Sequence, residues 1–162
     1  MNVIAAVNAN WGIGINNDLL YHLPSDMKFF REKTRGNVII VGRKTLESFP
    51  NAAPLKDRIN IVLTKDKSYK KENTVVCGGI SQLFELLEKY DSKSVYVCGG
   101  EMIYNLLLPY CDTAYITKVF DSAPAEKFFP DLDKNSDWKL DFQSEPIVEN
   151  GLTFAFCTYK KL

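Results

Sequence analysis

Val95-Tyr96-Val97-Cys98-Gly99-Gly100 is the stretch that decides the fold of this chain. Its apolar and aromatic residues predict a short buried strand, and the paired glycines allow the backbone to turn sharply at its end. A helical pattern through Ile103 and Leu107 follows, until Pro109 stops it. A strand that leads through glycines into a helix is typical of α/β proteins with a parallel sheet.

The same strand and helix patterns alternate through the N-terminal two-thirds of the chain. Further strands are predicted over residues 3–7, 38–41, 59–63 and 74–77. Helices are predicted over residues 25–34 and 81–90, and a short helix is predicted to open at Gly42-Arg43-Lys44-Thr45. Strands that alternate with helices pair in parallel through crossover connections.

The last third of the chain has a different pattern. Residues 114–120, 138–144 and 152–159 are strand-like, and no clear helix separates them. Strands without intervening helices pair antiparallel, so we expect these strands at one edge of the sheet. No linker or repeat interrupts the pattern, which predicts a single domain over residues 1–162.

Composition and charge exclude several classes of function. The chain has 162 residues, of which 46% are hydrophobic, and its 20 basic residues balance its 20 acidic residues. Because the formal net charge is zero, the chain has no overall positive potential to attract nucleic acid or an anionic membrane. We therefore expect a small-molecule partner. The sequence has no basic leader with a cleavage site and no apolar run of transmembrane length, which predicts a cytoplasmic protein.

The cysteines and the histidine argue against a metal site. No two of them form a C-x-x-C or similar ligand pair. They are Cys77, Cys98, Cys111, Cys157 and His22. Zinc sites and disulfide frameworks need closely spaced or regularly paired ligands, which this chain lacks. We therefore expect buried, reduced thiols, no bound metal and a structural role for the histidine.

Three predicted strands end in residues suited to binding phosphate. They are followed by Gly42-Arg43-Lys44-Thr45, Leu63-Thr64-Lys65 and Cys98-Gly99-Gly100-Glu101. Backbone N–H groups and cations can meet an anion at such ends, although turn and capping chemistry accounts for each motif taken alone. Ligands of parallel α/β sheets bind beyond the carboxyl ends of strands, so the three ends together favour a dinucleotide with an extra ribose phosphate. The G-x-G-x-x-G fingerprint is absent, which excludes a standard Rossmann domain.

Asp26 is a lone carboxylate in a segment crowded by apolar and aromatic side chains. Pro24 and Ser25 predict the start of a helix, with Ser25 as its N-cap. Asp26 then lies in the first turn, and Phe30 lies one turn further along the same face. A carboxylate held against apolar surface has a raised pKa and can deliver a proton near neutral pH. The alternative is structural, because an Asp in the first turn also favours the helix macrodipole.

The order of these motifs resembles the dihydrofolate reductase family over essentially the whole chain. The motifs that carry the resemblance are Ile4-Ala5-Ala6, Ile13-Gly14, Leu23-Pro24-Ser25-Asp26, Gly42-Arg43-Lys44-Thr45, Asn60-Ile61-Val62-Leu63, Gly99-Gly100 with Tyr104, Tyr115-Ile116-Thr117 and Phe128-Phe129-Pro130. The resemblance implies an α/β fold with an eight-stranded, mostly parallel mixed sheet, about four flanking helices and an antiparallel C-terminal strand. It also implies hydride transfer from NADPH to C6 of dihydrofolate, with protonation of N5.

The resemblance also implies the site residues. Catalysis is assigned to Asp26, with Thr117 as its partner, and to Tyr21. The residues implied for substrate binding are Ile4, Ala5, Asp26, Met27, Phe30, Arg31, Phe49, Leu55, Arg58, Cys98, Tyr104 and Thr117. Those implied for NADPH binding are Ala6, Ile13, Gly14, Asn17, Asp18, Leu19, Gly42, Arg43, Lys44, Thr45, Leu63, Thr64, Lys65, Cys98, Gly99, Gly100, Glu101, Met102, Ile103 and Tyr104. The implied inhibitors are antifolates such as methotrexate or trimethoprim, and we expect a monomer.

Two of these assignments rest on the chemistry of cations. Arg58 is implied to clamp the α-carboxylate of the glutamate tail, because a planar guanidinium binds a carboxylate through two hydrogen bonds. Arg43, Thr64 and Lys65 are implied to receive the phosphate on the adenosine ribose. That cluster favours NADPH over NADH, since a bare ribose hydroxyl is usually bound by an acid.

The chain departs from the family pattern at three places. Tyr21 and Leu20 stand where the family usually has Trp and Pro, which changes the residue that orders water beside the catalytic acid. A phenol can still bind that water. Glu126 replaces an Asp that helps to hold the loop after the first strand closed, and it has a longer reach. Residues 50–58 form a segment one residue longer than usual, with Ala53 at a position that is often basic.

Two other functions are consistent with part of the pattern. A related reductase of riboflavin biosynthesis shares the fold and NADPH, but it lacks the acid at the first helix. A nucleotide-binding module that senses NADPH without turnover has no need of a proton source in an apolar pocket. Asp26 therefore argues against both alternatives.

Overall fold

The structure is a computed structural model that covers residues 1–162. Its helices are α1 Pro24–Thr34, α2 Arg43–Glu47, α3 Ile80–Leu87 and α4 Glu101–Leu107. Its strands are β1 Asn2–Val7, β2 Gly12–Ile15, β3 Asp18–Leu19, β4 Val38–Gly42, β5 Ile59–Leu63, β6 Thr74–Cys77, β7 Val95–Gly99, β8 Thr113–Val119, β9 Lys127–Phe128, β10 Trp138–Gln143, β11 Ile147–Glu149 and β12 Leu152–Lys161. Every predicted strand and helix is present, and the largest difference in bounds is at α3, which ends before Tyr90. None of these helices has the length and apolar character that a membrane-spanning segment needs.

Eight strands form one continuous sheet in the order β10-β12-β8-β1-β7-β4-β5-β6. From β8 to β6 all neighbours are parallel, whereas β12 is antiparallel to both β8 and β10. The mostly parallel mixed sheet and its antiparallel C-terminal strand are therefore confirmed. The short strand β11, which was not predicted, pairs antiparallel with β12.

The centre of the sheet has no solvated face. All residues of β4 from Val38 to Val41 are at most 2% exposed. A central parallel strand is covered on both sides, so an uninterrupted run of β-branched residues suits it better than an alternating pattern. The largest apolar cluster extends from β4 into β1, β5 and β7. These four strands therefore form a rigid base for the side chains at their ends.

The cysteines follow the sequence expectation with one difference. All four are free thiols. Cys77, Cys111 and Cys157 are buried, whereas Cys98 near the end of β7 is partly exposed. No cluster of His, Cys, Asp or Glu side chains has the geometry of a metal site.

A second, three-stranded sheet in the order β3-β2-β9 was not predicted from the sequence. β2 and β3 form a hairpin in which Ile15 pairs with Asp18. Its turn residues Asn16 and Asn17 have φ of 51° and 59°, the left-handed conformation that such a two-residue turn requires. Asparagine tolerates this conformation, so consecutive asparagines between apolar residues are the pattern that could have identified the hairpin.

The start of α1 corrects the sequence prediction. Leu23 precedes the helix and Pro24 is its first residue, so Ser25 is not the N-cap. Proline suits the first helical position because its missing N–H would have no partner there. The Ser25 N–H and hydroxyl both donate to the carboxylate of Glu149 in β11, the N–H at 2.9 Å. Leu23 has no side-chain acceptor for this N–H, so a carboxylate from a distant strand binds it instead.

Candidate active site

The three predicted phosphate-binding strand ends lie side by side. In the register of the sheet, Gly42 of β4 is opposite Leu63 of β5, and Val41 is opposite Gly99 of β7. The carboxyl ends of β7, β4 and β5 therefore meet at one edge. The expectation that the three motifs share one edge of the sheet is confirmed.

Glycines at this edge allow very close packing. Gly99 has a φ of +125°, and a cis peptide bond joins it to Gly100. A Cβ at Gly100 would lie 3.1 Å from the Thr45 hydroxyl, and one at Gly42 would lie 3.2 Å from the Ile103 side chain. α4 begins directly after these glycines. Backbone without side chains next to a helix start is an arrangement that phosphate oxygens can approach closely.

Cations lie at the ends of the neighbouring strands. Arg43 opens α2, and its guanidinium lies 3.1 Å from the Glu47 carboxylate in a pair that is open to solvent. No salt bridge involves Lys44 or Lys65. The hydroxyl of Thr64 accepts a hydrogen bond from a nearby backbone N–H. Because exposed pairs contribute little stability, these cations can turn to a ligand at low cost.

Asp26 and Thr117 connect α1 to β8. The Thr117 hydroxyl donates to the Asp26 carboxylate at 2.6 Å. Burial raises the pKa of the Asp26 carboxyl, the Thr117 hydrogen bond lowers it, and the negative charge of Glu149 raises it. Burial has the largest effect, so the pKa lies above the ordinary value for aspartic acid. The structure therefore provides a carboxyl that can store a proton beside an apolar surface.

A small apolar cluster joins many of the predicted substrate-binding side chains. Its buried centre consists of Ile4, Ile39 and Tyr96. Partly buried around this centre are Phe29, Phe30, Phe49, Leu55, Cys98 and Tyr115. The predicted pocket residues in the cluster are Ile4, Phe30, Phe49, Leu55 and Cys98. Half-buried aromatic and aliphatic side chains offer a surface for a flat aromatic ligand.

Asn60 fixes the segment that carries Leu55, a role that the sequence analysis missed. Asn60 is 2% exposed. Its side chain accepts from the Leu55 N–H and donates to the Leu55 carbonyl, both at 2.9 Å. A buried amide needs such partners, so a lone Asn within the apolar strand β5 was the available clue.

Arg58 lies beside the same cluster. Its Nε donates to the Thr34 hydroxyl and its Nη1 to the Lys56 carbonyl, both at 2.9 Å. The guanidinium carbon is 6.0 Å from the centre of the Phe30 ring. These contacts hold one end of the guanidinium and place its charge at the border of the aromatic surface. Arg31, which the resemblance also implies for substrate binding, makes no salt bridge.

Comparisons with known proteins agree with this geometry. The family model for dihydrofolate reductase matches residues 1–161. The chain belongs to the dihydrofolate reductase family. It is 34% identical to dihydrofolate reductase from Bacillus subtilis, and the match covers 99% of this chain and 94% of that protein.

Two further members of the dihydrofolate reductase family are similar to this chain. It is 37% identical to the bifunctional dihydrofolate reductase-thymidylate synthase of Daucus carota, of which it spans 33%, while 99% of this chain is matched. The solved structure of dihydrofolate reductase from Enterococcus faecalis, complexed with NADP(H) and RAB-propyl, has a TM-score of 0.88 and 32% identity. That match covers 99% of this chain and 95% of the other, which confirms the predicted dihydrofolate reductase fold.

The larger apolar residues among the others implied by the dihydrofolate reductase resemblance lie in two settings. The side chains of Ile13, Leu63, Ile103 and Tyr104 are buried in the main core. Those of Met27, Leu19 and Met102 are 51%, 58% and 79% exposed. The Tyr104 hydroxyl donates to the Ile4 carbonyl at 2.7 Å, which joins α4 to β1. Exposed apolar side chains are free to cover a ligand, whereas the buried ones shape the surface below it.

Glu126 contacts the loop after β1, as its position in the dihydrofolate reductase pattern suggested. Its carboxylate accepts from the Asn16 N–H at 2.6 Å, and its own N–H donates to the Gly14 carbonyl at 2.8 Å. The carboxylate of Glu101, the first residue of α4, accepts from the Phe128 N–H. The small sheet is thereby tied both to the segment before β9 and to the helix that follows the paired glycines.

Tyr21 has a different partner from the one that the dihydrofolate reductase pattern suggests. Its hydroxyl donates to the Asp121 carboxylate at 2.6 Å. The same carboxylate accepts from the Ala123 N–H at 3.2 Å. Asp121 was not singled out from the sequence, because a contact across 100 positions leaves no local pattern. The catalytic role of Tyr21 stays a prediction, and the structure places its hydroxyl on the segment after β8.

Tyr21→Phe tests whether the Tyr21 hydroxyl stabilises the fold through Asp121 or takes part in catalysis. Loss of one half-buried hydrogen bond to a carboxylate is expected to lower the free energy of unfolding by about 1–2 kcal/mol, measured by urea denaturation. Turnover at saturating substrate is expected to change less than about threefold, because the hydroxyl donates to Asp121 and not to Asp26. Asp121→Ala should cost at least as much stability, because it also removes the acceptor of the Ala123 N–H. The double variant should be about as stable as Asp121→Ala alone. A loss of turnover of a hundredfold would instead support a catalytic hydroxyl.

Proposed function

We propose that this chain catalyses the NADPH-dependent reduction of 7,8-dihydrofolate to 5,6,7,8-tetrahydrofolate, which supplies one-carbon and thymidylate metabolism. The observation that carries the proposal is the Asp26 carboxyl, which is bonded to Thr117 at 2.6 Å and has a raised pKa. Neither a reductase of phosphorylated pyrimidines nor a cofactor sensor needs an acid at that position. Family membership supports the same reaction.

The described residues fit NADPH. Glycines at the end of β7 carry no side chain that would keep a ligand away from their backbone, and Arg43, Thr64 and Lys65 supply two cations and a hydroxyl for a phosphate on the ribose. When bound, NADPH would supply the hydride. Glu101 has its carboxylate committed to β9, so only its backbone remains for the cofactor.

On the substrate side, the chain's own residues bind, orient and protonate. The cluster around Ile4, Phe30 and Phe49 would bind the pterin and aminobenzoyl rings, and Arg58 would pair with the tail carboxylate. Asp26 would bond the 2-amino group and N3 of the pterin. Its raised pKa keeps a proton available close to neutral pH, so protonation of N5 is favoured as the hydride arrives at C6.

The deciding experiment follows the absorbance of reduced nicotinamide after NADPH and dihydrofolate are mixed with purified protein. Rapid oxidation that requires dihydrofolate, is slower with NADH and is blocked by methotrexate or trimethoprim is expected. Oxidation that instead requires a phosphorylated ribosylamino-pyrimidine would indicate the riboflavin-type reductase. Binding of NADPH without oxidation of any substrate would indicate the sensor.

Three further properties belong to the same proposal. We propose that the chain acts as a single domain over residues 1–162, as a monomer and in the cytoplasm. Sedimentation at micromolar concentration tests the monomer, because a dimer would sediment at twice the mass of 18.4 kDa.

A further inference from the structure

Glu149 is a carboxylate outside the predicted site that reaches the start of α1. It is the last residue of β11 and pairs with Leu152 of β12. The residues between them, Asn150 and Gly151, have φ of 53° and 75°, which closes a tight two-residue hairpin turn. Because Glu149 sits in the ladder directly before this turn, its backbone has little freedom.

The hairpin is also packed onto the start of α1. Leu23, the residue before the helix, is 2% exposed and forms a cluster with Val119 and Phe154. Ile147 and Leu152, one from each strand of the hairpin, pack against that cluster. Both this apolar packing and the tight turn therefore hold the Glu149 carboxylate next to Ser25.

The two hydrogen bonds from Ser25 place a negative charge next to the catalytic acid. Ser25 precedes Asp26 in the first turn of α1, and both its N–H and its hydroxyl donate to Glu149. These bonds lower the pKa of the Glu149 carboxyl, so Glu149 is ionised wherever Asp26 titrates. Its charge raises the pKa of Asp26.

The other elements around Asp26 present no competing charge of this kind. Thr117 on β8 offers a neutral hydroxyl, and the pKa of Tyr104 on α4 is far above its ordinary value because of burial, so this phenol stays neutral. Lys118, next to Thr117, is paired with Asp133 at 2.6 Å. On α1 itself, Lys28 pairs with Glu32 and Arg31 makes no salt bridge.

We propose that Glu149 is a positioning residue for the proton donor: it fixes the first turn of α1 through Ser25, and its charge favours the protonated form of Asp26. This role adds a residue to the proton-delivery step of the proposed function. Only the turnover measurement below depends on that function. It assigns to the hairpin of β11 and β12 a part in proton delivery. The same hairpin borders the predicted pocket cluster, because the ring of Phe156 in β12 stacks on that of Phe29 with 4.4 Å between their centres.

The first test is a carboxyl carbon NMR titration of Asp26 in protein labelled at aspartate, with Asp26→Asn to assign the signal. In Glu149→Gln, which keeps an acceptor for Ser25 but removes the charge, the midpoint is expected to fall by about half a pH unit. Glu145→Gln removes the same charge from an exposed residue of the preceding turn, so its midpoint should match the wild type. A midpoint in Glu149→Gln equal to the wild-type value would overturn the electrostatic part.

The second test separates position from charge. Glu149→Ala removes both acceptors, so amide exchange in the first turn of α1 is expected to accelerate about tenfold, whereas Glu149→Gln keeps most of the protection. Unchanged exchange in Glu149→Ala would overturn the positioning part. If either variant unfolds, circular dichroism will reveal it, and Ser25→Ala then provides the milder loss of the hydroxyl bond alone.

Turnover provides the last readout. Above the midpoint of the pH profile, Glu149→Gln is expected to reduce dihydrofolate about threefold more slowly than the wild type, with the whole profile moved to lower pH. Glu145→Gln should overlay the wild type. A wild-type protein that does not reduce dihydrofolate would refute the proposed function, while the NMR titration would still decide the role of Glu149.

Discussion

Asp26→Asn is expected to fold normally and to reduce dihydrofolate about 10²–10⁴ times more slowly near neutral pH. Asparagine keeps the oxygen that accepts from Thr117 and removes only the ionisable proton. The fold should therefore survive, while the pairing of the carboxylate with the pterin is weakened and proton delivery is lost. Steady-state rates between pH 5 and 9 measure the effect, and the variant should recover relative activity at low pH, where the substrate is already protonated.

The pH profile of the wild type gives the sign of the same effect. Because burial raises the pKa of Asp26, the carboxyl stays protonated into a higher pH range than an ordinary Asp. The turnover rate is expected to be at its maximum below that pKa and to fall as the pH rises through it. Asp26→Asn should lack the descending limb at the pKa of Asp26 and should keep only the rise at lower pH that comes from protonation of the substrate itself. An unchanged pH profile in the variant would refute the assigned role.

Stability provides an independent control on Asp26. An acid whose pKa is higher in the folded than in the unfolded state lowers native stability once it ionises, so stability falls as the pH rises through the folded pKa. Removing the charge eliminates that loss. At neutral pH Asp26→Asn is therefore expected to be at least as stable as the wild type in urea, which would exclude misfolding as the cause of lost activity.

The sequence was sufficient for the elements whose pattern is local. The buried run of β4 and the strand, glycine and helix order around β7 each predicted an element and its neighbours, because hydrophobic periodicity and glycine act over a few residues. The common edge of Gly42, Leu63 and Gly99 also followed, since parallel strands bring their carboxyl ends together.

The contacts that the sequence did not predict are those between distant segments. Ser25 was expected to cap α1 by itself, yet its partner is Glu149, 124 positions away. Tyr21 was expected near the catalytic acid, and its hydroxyl partner is Asp121. In both cases a single polar side chain meets a carboxylate from a hairpin or loop, and such pairs depend on the packed arrangement rather than on any repeating pattern.

Arg43→Ala and Lys65→Ala are each expected to weaken NADPH binding about 10–100-fold while changing NADH binding less than about threefold. A charge-assisted hydrogen bond to a phosphate contributes about 1.5–3 kcal/mol, and only NADPH carries the ribose phosphate that these cations would meet. The Michaelis constants of both cofactors, supported by fluorescence titration without substrate, measure the difference. The ratio between the two cofactors is the decisive quantity, because a general structural defect would weaken both.

The position of each cation at a strand end makes the comparison specific. Lys139→Ala removes a lysine from β10, the outermost strand on the side of the sheet away from β4 and β5. The binding of both cofactors should therefore be unchanged. Glu47→Gln should strengthen NADPH binding slightly, because it frees the Arg43 guanidinium from its pair at 3.1 Å. Equal weakening of NADPH and NADH in Arg43→Ala and Lys65→Ala would refute the ribose-phosphate assignment. Selective weakening would place the extra phosphate beyond the carboxyl ends of β4 and β5.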